Sequence, residues 1–359
     1  MRQVQSQLQA AGLDALLVST PHNLTYLCGF KGSAGYLFVA SDRLSLLTDG
    51  RYTAAVKDGI AAGTIAAAES VAVTNRYDVT VAEVVSQRGY RVVGFEAEDV
   101  TVAALRGWQT ATPAVDWRAT DGWVERQRMI KDDVEVAILR EAGRRLAGVS
   151  GRLTGLIAPG LTEIEVARAI DRAIEAAGFE RPAFETIVAS GPNSAYPHAR
   201  PTSRQLARDE VVLLDFGGVL EGYCVDLTRM AVIGHIPAAI EPLFDAVHAA
   251  QQAAIDATRS GTLSSHIDRA ARRVLEARGL GAAFNHGTGH GLGRDVHELP
   301  RITRAESTPA VPLEPGMVFT IEPGAYVEGV GGVRLEDDVL VTADGCEILT
   351  DAPRQLLSV

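Results

Sequence analysis

An α/β domain over residues 1–128 followed by a larger α+β domain over residues 129–359 is the architecture the sequence predicts, and three observations carry it. A chain of 359 residues exceeds what one hydrophobic core usually organises. Its first third alternates helix-like and strand-like segments, whereas long helical patterns separate strand-rich segments beyond residue 133. Between the two, residues 117–133, "WRATDGWVERQRMIKDD", are polar and charged without a sheet pattern, which sets the boundary there.

The elements follow in chain order. A helix is expected over about 2–11, ending at Gly12, and then strands at "DALLVS", "GYLFVA", "LSLLTD" and "RVVGFE". Beyond the boundary a helix is expected over about 133–155. In "LTEIEVARAIDRAIEAAGFE", Thr162 and Glu165 have capping-box spacing, Val166, Ala167, Ile170 and Ile174 form an apolar stripe, and Gly178 stops the helix. Helices near 239–259 and 263–278 separate strand-rich segments at 185–235 and 315–350. Trp108, Trp117 and Trp123 read as packing aromatics rather than a binding platform.

Composition excludes several function classes. Acidic residues number 45 against 34 basic ones, a formal charge of −11, which disfavours nucleic-acid and anionic-membrane partners. Cys28, Cys224 and Cys346 are odd in number and lack CxxC spacing, so neither a disulfide framework nor a thiolate metal site is indicated. With no signal-peptide pattern and no apolar run of membrane-spanning length, a cytoplasmic location is expected.

The chemistry concentrates in acidic and histidine-bearing segments. In "VVLLDFGGVLEGYCVDLTRM", a hairpin centred on Leu220 and Glu221 would set Asp215 directly opposite Asp226, about 5 Å apart at Cβ. In "FTIEPGAYVEGVGGVRLEDDVLV", folding about Gly329 would likewise oppose Glu322 and Glu336. Ionised carboxylates are costly inside apolar strands unless paired or bound to cations. Four of them, with one imidazole from "HGTGHGLGRDVHELP", suit two divalent cations, manganese favoured over cobalt, iron or zinc. Taken singly, each acid reads better as a surface strand residue or a turn cap than as a ligand. Spacing by itself leaves both readings standing, and the shared placement of the set favours the metal.

The motifs "GPNSAYPHARPT", "DFGGVLEGYCVDLTR", "HGTGHGLGRDVHELPR", "IEPGAY" and "GGVRLEDDVLVT" occur in this order. With them the chain resembles the pita-bread metallopeptidases, specifically the proline-specific branch of Xaa-Pro dipeptidase (prolidase) and aminopeptidase P. The amino-terminal stretches "GLDALLVSTPHNLTYLCGFKGSAGYLFV" and "LLTDGRYTAAV" resemble that branch as well. The resemblance implies a creatinase-type α/β N-terminal domain followed by an α+β pita-bread (creatinase/aminopeptidase) catalytic domain. It further implies metal ligands at Asp215, Asp226, His290, Glu322 and Glu336, with Asp226 and Glu336 bridging two ions. His198, His286, His297 and Arg334 would surround the substrate.

The implied reaction is attack of a metal-bridging hydroxide on the carbonyl before proline. Glu322 would pass the proton toward the proline nitrogen, His297 would stabilise the oxyanion, His198 would hold the leaving side, and Arg334 would orient the peptide. For His286 a loop-bracing role competes with substrate contact. His22, His235, His248 and His266 lie outside the motifs and read as surface or packing residues. Two departures from the family pattern stand out: Asp209–Glu210 in place of a usual Gly-Asp, and Cys224, whose closeness to the expected metals raises the prospect of oxidation sensitivity.

Proline-containing di- or oligopeptides are therefore the expected partners, and the family's habit implies a homodimer. A dipeptidase is favoured. Aminopeptidase P is the alternative within the branch, and a non-catalytic peptide-binding protein on the same fold is the alternative outside it. Creatinase is disfavoured by the intact ligand set, and methionine aminopeptidase by the amino-terminal domain.

Overall fold

The computed structural model describes residues 2–67 and 69–359, and the chain forms two compact units that meet at Arg128 and Met129. The amino-terminal unit is built on one six-stranded sheet in the order Glu69–Val73, Leu44–Asp49, Tyr36–Ala40, Ala15–Val18, Val92–Glu96, Asp116–Thr120. Ala15–Val18 runs antiparallel to Tyr36–Ala40 and parallel to Val92–Glu96. Its four residues are all buried, and they alternate between two cores: Leu16 and Val18 enter one, Ala15 and Leu17 the other. Both faces of the sheet are therefore covered, by helices such as Arg2–Ala11 and Tyr77–Arg88, which is why its central strands read as unbroken apolar runs.

The four strands expected here are the four central ones. Both edge strands, Glu69–Val73 and Asp116–Thr120, fall where no strand was expected, the second inside the segment taken as patternless. Asp116 and Arg118 point outward and pair with each other at 2.8 Å, so the polar face of this edge hides its sheet character. Trp108 and Trp117 stack 5.0 Å apart within one core of this unit, and Trp123 packs against the other.

In the second unit, helix Asp133–Ser150 starts at an Asp132–Glu135 capping box and Glu163–Ala176 at the Thr162–Glu165 box. The first stops at Ser150, and Leu153–Gly155 forms a separate single turn rather than continuing it. A long hairpin of Glu210–Leu220 and Tyr223–Ile233 crosses the unit. One face, with Val212, Leu214, Phe216, Val225 and Leu227, packs in the same core as those two helices. The other face carries Val211, Leu213, Met230 and Val232 into a second core shared with helices Glu241–Ala257 and Ser264–Ala277. Asp215, Asp226 and Thr228 have the parity of this second face.

The hairpin register differs from the expected one. Leu220 pairs with Tyr223, so the turn is Glu221–Gly222, with φ of 50° and 78°, the left-handed pair that a two-residue hairpin needs. Asp226 consequently faces Gly217, and Asp215 faces Thr228. A shift of two keeps both acids on one face and makes them diagonal rather than opposite neighbours. In the second acidic segment the pairing about Gly329 is as expected. Gly324–Val327 pairs with Gly331–Arg334, and Val318–Ile321 pairs with Asp337–Val341 in the same register. Glu322 and Glu336 occupy the gap between these two ladders, where the backbone leaves the regular strand.

Candidate metal centre and peptide cavity

A cavity of about 570 Å³ in the second unit is lined by Asp215, Asp226, His290, Glu322 and Glu336, and also by His198, His286, His297 and Arg334. All nine residues singled out in the sequence thus line one cavity. Asp226, His290 and Glu336 come closest together, each presenting one donor atom within 4.8 Å of the others. Glu322 Oε1 lies 3.5 Å from His290 Nε2. Asp215 Oδ2 accepts from Arg334 Nη2 at 2.5 Å.

His290 sits on the short strand Gly289–Gly291, between Glu298–Ile302 and Val318–Ile321. The glycines around it answer to space. A Cβ on Gly289 would lie 1.8 Å from the Thr320 carbonyl oxygen and one on Gly291 2.0 Å from that of Leu299, so any side chain would push the neighbouring strands apart. The His290 Nδ1–H donates to the Gly291 carbonyl at 3.1 Å, which leaves Nε2 as the free electron pair. Burial, then the neighbouring His297, drives the His290 imidazole down to about 3, so it is neutral, the form that binds a metal. The His297 ring lies 4.3 Å from it.

Elementary electrostatics makes this arrangement incomplete as a protein-only structure. Asp226 and Glu336 are buried, and burial, followed by repulsion from Glu336 and Asp215 at Asp226 and from Glu322 and Asp215 at Glu336, holds both carboxyls well above their ordinary range. Glu322 is pushed up to about 7, by burial first and Asp215 in part. Oδ1 of Asp215 and Oδ1 of Asp226 are buried and receive no hydrogen bond. The Arg334 guanidinium lines the cavity against Asp215 and offsets only part of the charge. Oxygen-rich donors, orphaned carboxylate atoms and one neutral imidazole fit a hard or borderline divalent cation.

Groups not singled out in the sequence complete the frame. The Asp226 N–H donates to Asp338 Oδ2 at 2.9 Å, and Thr228 Oγ1 donates to Glu336 Oε2 at 2.6 Å. Arg334 donates to Thr228 Oγ1, to the Tyr326 hydroxyl at 2.8 Å and to the Pro197 carbonyl at 3.0 Å. Most of its donors are therefore engaged by protein, although the residue lines the cavity. Burial, then Arg334, drives His286 down to about 4. Its Nδ1 lies 2.7 Å from the Gly287 carbonyl and its Nε2 3.1 Å from the Tyr326 hydroxyl. His286 is thereby braced by protein while one side faces the cavity. Of the histidines outside the motifs, His235 is exposed beside Asp209, and His248 stacks on Phe244.

Two departures from the family pattern have local explanations. Asp209 has a φ of 59°, a left-handed position where Asp is among the better-tolerated replacements for Gly, and its Oδ1 accepts the His235 N–H at 2.8 Å. Cys224 is buried, and desolvation pushes its thiol up to about 12, so the oxidation sensitivity raised from sequence is not expected. Iodoacetamide should leave Cys224 unmodified in the folded protein with or without added metal, as read by peptide mass spectrometry. Labelling at the rate of a free thiol would contradict this.

A mixed α/β unit followed by an α+β unit whose hairpins gather acids and an imidazole into one cavity defines a pita-bread metallopeptidase. The chain belongs to metallopeptidase family M24, whose model matches residues 137–343, and the Creatinase/Prolidase N-terminal domain model matches residues 1–130. It is 32% identical over 346 residues to an uncharacterized peptidase, YqhT, of Bacillus subtilis, covering 96% of each chain. It is 34% identical over 242 residues to the Xaa-Pro dipeptidase of Pyrococcus horikoshii, covering 67% of this chain and 68% of that one. Among solved structures, the Xaa-Pro dipeptidase from Bacillus anthracis superposes with a TM-score of 0.93 at 32% identity, covering 100% of this chain and 98% of that one. Among the described residues no helix is long and apolar enough to cross a membrane.

Proposed function

We propose that this metallopeptidase hydrolyses the peptide bond before proline, acting as an Xaa-Pro dipeptidase. The observation that carries this reading is the convergence of five donors, three further imidazoles and Arg334 on a single cavity. The names of its relatives support the choice of substrate. Asp215, Asp226, His290, Glu322 and Glu336 would hold two divalent cations, manganese favoured, with Asp226 and Glu336 shared between them. When bound, the cations supply Lewis acidity and a water-derived nucleophile at neutral pH.

The chain's own residues do the rest. Glu322 carries a proton at its carboxylate toward the proline nitrogen as the bond breaks. His297, beside the His290 ring, donates a hydrogen bond to the oxygen of the attacked carbonyl. His198 holds the leaving side from the opposite loop. Arg334 keeps Asp215 in place through its 2.5 Å contact and borders the peptide, while neutral His286 lines the wall. The chain is read as a homodimer.

Ala-Pro, Ala-Pro-Ala and Ala-Ala assayed across manganese, cobalt, zinc and iron test this reading. Ala-Pro should be cleaved with kcat/KM about 10²-fold above Ala-Ala and above the tripeptide, best with manganese. Faster release of the first residue from Ala-Pro-Ala would make the protein an aminopeptidase P instead. Absence of cleavage with any metal would favour a non-catalytic peptide-binding protein.

A further inference from the structure

We propose that Glu163 is a positioning residue for His198, acting as a clasp that closes the loop carrying it; the inference rests on the peptidase reading above. Glu163 is the first residue of helix Glu163–Ala176 and is 0% exposed, yet no arginine or lysine pairs with it among the described residues, and nearby Arg204 pairs with Glu210 at 2.6 Å instead. The Glu163 carboxylate is filled by donors from the loop between strands Ile187–Ser190 and Glu210–Leu220. Oε1 accepts from the Ser190 N–H at 2.8 Å, Ser190 Oγ at 2.7 Å and Asn193 Nδ2 at 3.0 Å. Oε2 accepts from the Thr202 N–H at 3.0 Å, Thr202 Oγ1 at 2.6 Å and Asn193 Nδ2 at 3.1 Å. Burial raises this carboxyl, and the donors from Thr202, Ser190 and Asn193 outweigh it, so the group stays below its ordinary range and ionised.

The geometry has a mechanical consequence. Ser190 and Thr202 are the two ends of the segment, and one carboxylate binds both of their backbone amides, which removes the closure entropy that an open loop of this length retains. The far side is held separately. Ser194 Oγ accepts the Gly332 N–H at 2.8 Å, and the Pro197 carbonyl accepts from Arg334. His198 follows directly, exposed on the cavity wall. Arg204 adds a second tie, donating to Ser190 Oγ at 2.6 Å and to Glu210, but among the described residues it is Glu163 that binds the backbone amides of both Ser190 and Thr202. A Gln at position 163 keeps the shape and loses one acceptor, so two or three donors of Ser190, Asn193 or Thr202 are left facing an NH₂ group.

A double-mutant cycle decides the matter. Glu163→Gln should lower kcat/KM on Ala-Pro about 10- to 100-fold, as a displaced contact group does. In a His198→Ala background the same change should cost less than about twofold, because the positioned side chain is already gone. The manganese-induced shift in Tm should be that of the parent. Amide hydrogen exchange at residues 191–202 should rise about tenfold or more in Glu163→Gln, with the 210–233 hairpin unchanged. Should Glu163→Gln fail to fold, Thr202→Val removes one hydroxyl donor and should show the same suppression on a smaller scale. Effects that multiply in full in the His198→Ala background, or unaltered exchange in the loop, overturn the proposal. If the parent protein cleaves no Xaa-Pro peptide, the peptidase reading fails, while the exchange measurement still decides whether Glu163 orders the loop.

Discussion

Glu322→Gln is expected to lower kcat on Ala-Pro by about 10³-fold or more at saturating manganese, with the fold retained. The substitution is nearly isosteric, and the backbone stays anchored because the Glu322 N–H donates to the Thr288 carbonyl at 2.7 Å. What changes is one ionisable oxygen 3.5 Å from His290 Nε2, which the proposed mechanism uses both as a cation ligand and as a proton carrier. Full turnover by the metal-loaded variant would remove the proton-carrying role. The same variant has a second readout in the metal-free protein. Because the folded-state carboxyl is raised to about 7, the wild-type protein carries no penalty from it below its ordinary value. The penalty grows as pH rises from there to about 7 and is constant above. Metal-free Glu322→Gln should therefore melt higher than metal-free wild type at pH 8 and no higher at pH 4.

Arg229→Met is expected to destabilise the protein by about 3–5 kcal/mol, the largest stability loss among the substitutions considered. Arg229 is 0% exposed and lies behind the cavity. Its guanidinium donates to the carbonyls of Thr228, Glu336, Ala352 and Pro353 and to Asp337 Oδ1 at 2.7 Å. It thereby joins the long hairpin, the Glu336 segment and the chain's C-terminal turn. Methionine fills much of the volume but removes the cationic partner of buried Asp337, which keeps only Gln251 and Thr350, and takes a donor from each of four carbonyls. Tm should fall by on the order of 10 °C. The paired variant Arg229→Met, Asp337→Leu should lose less than the sum of its two single changes, since the stranded charge is gone. Additive losses would show that the ion pair contributes nothing beyond its separate contacts.

These two residues also mark what could be read in the sequence. Glu322 was legible because a symmetric segment folds about Gly329, and the register of both ladders follows from that one turn. The first hairpin misled by two residues. Its apolar run continues through Leu220, while the turn is set by the positive φ of Glu221 and Gly222, which the apolar pattern does not mark. In the amino-terminal sheet the central strands were visible because both faces are buried, and the two edges were not, because solvent on one side admits Asp116 and Arg118.

Arg229, Thr228, Tyr326 and Asp338 lie within the quoted motifs and Glu163 outside them, but none was singled out. Each acts through partners distant in the chain, as in the Arg229–Asp337 and Thr228–Glu336 pairs, and such pairing is visible only once the chain is folded. Family motifs supplied the proposed ligand set that spacing by itself left open.

A crystal grown with excess manganese and phased for its anomalous signal is the most direct test of the site. The proposed two-cation site predicts two anomalous peaks in the cavity lined by Asp226, Glu336 and His290. An unfilled cavity, with Asp226 and Glu336 protonated and their oxygens turned toward protein donors, would contradict it.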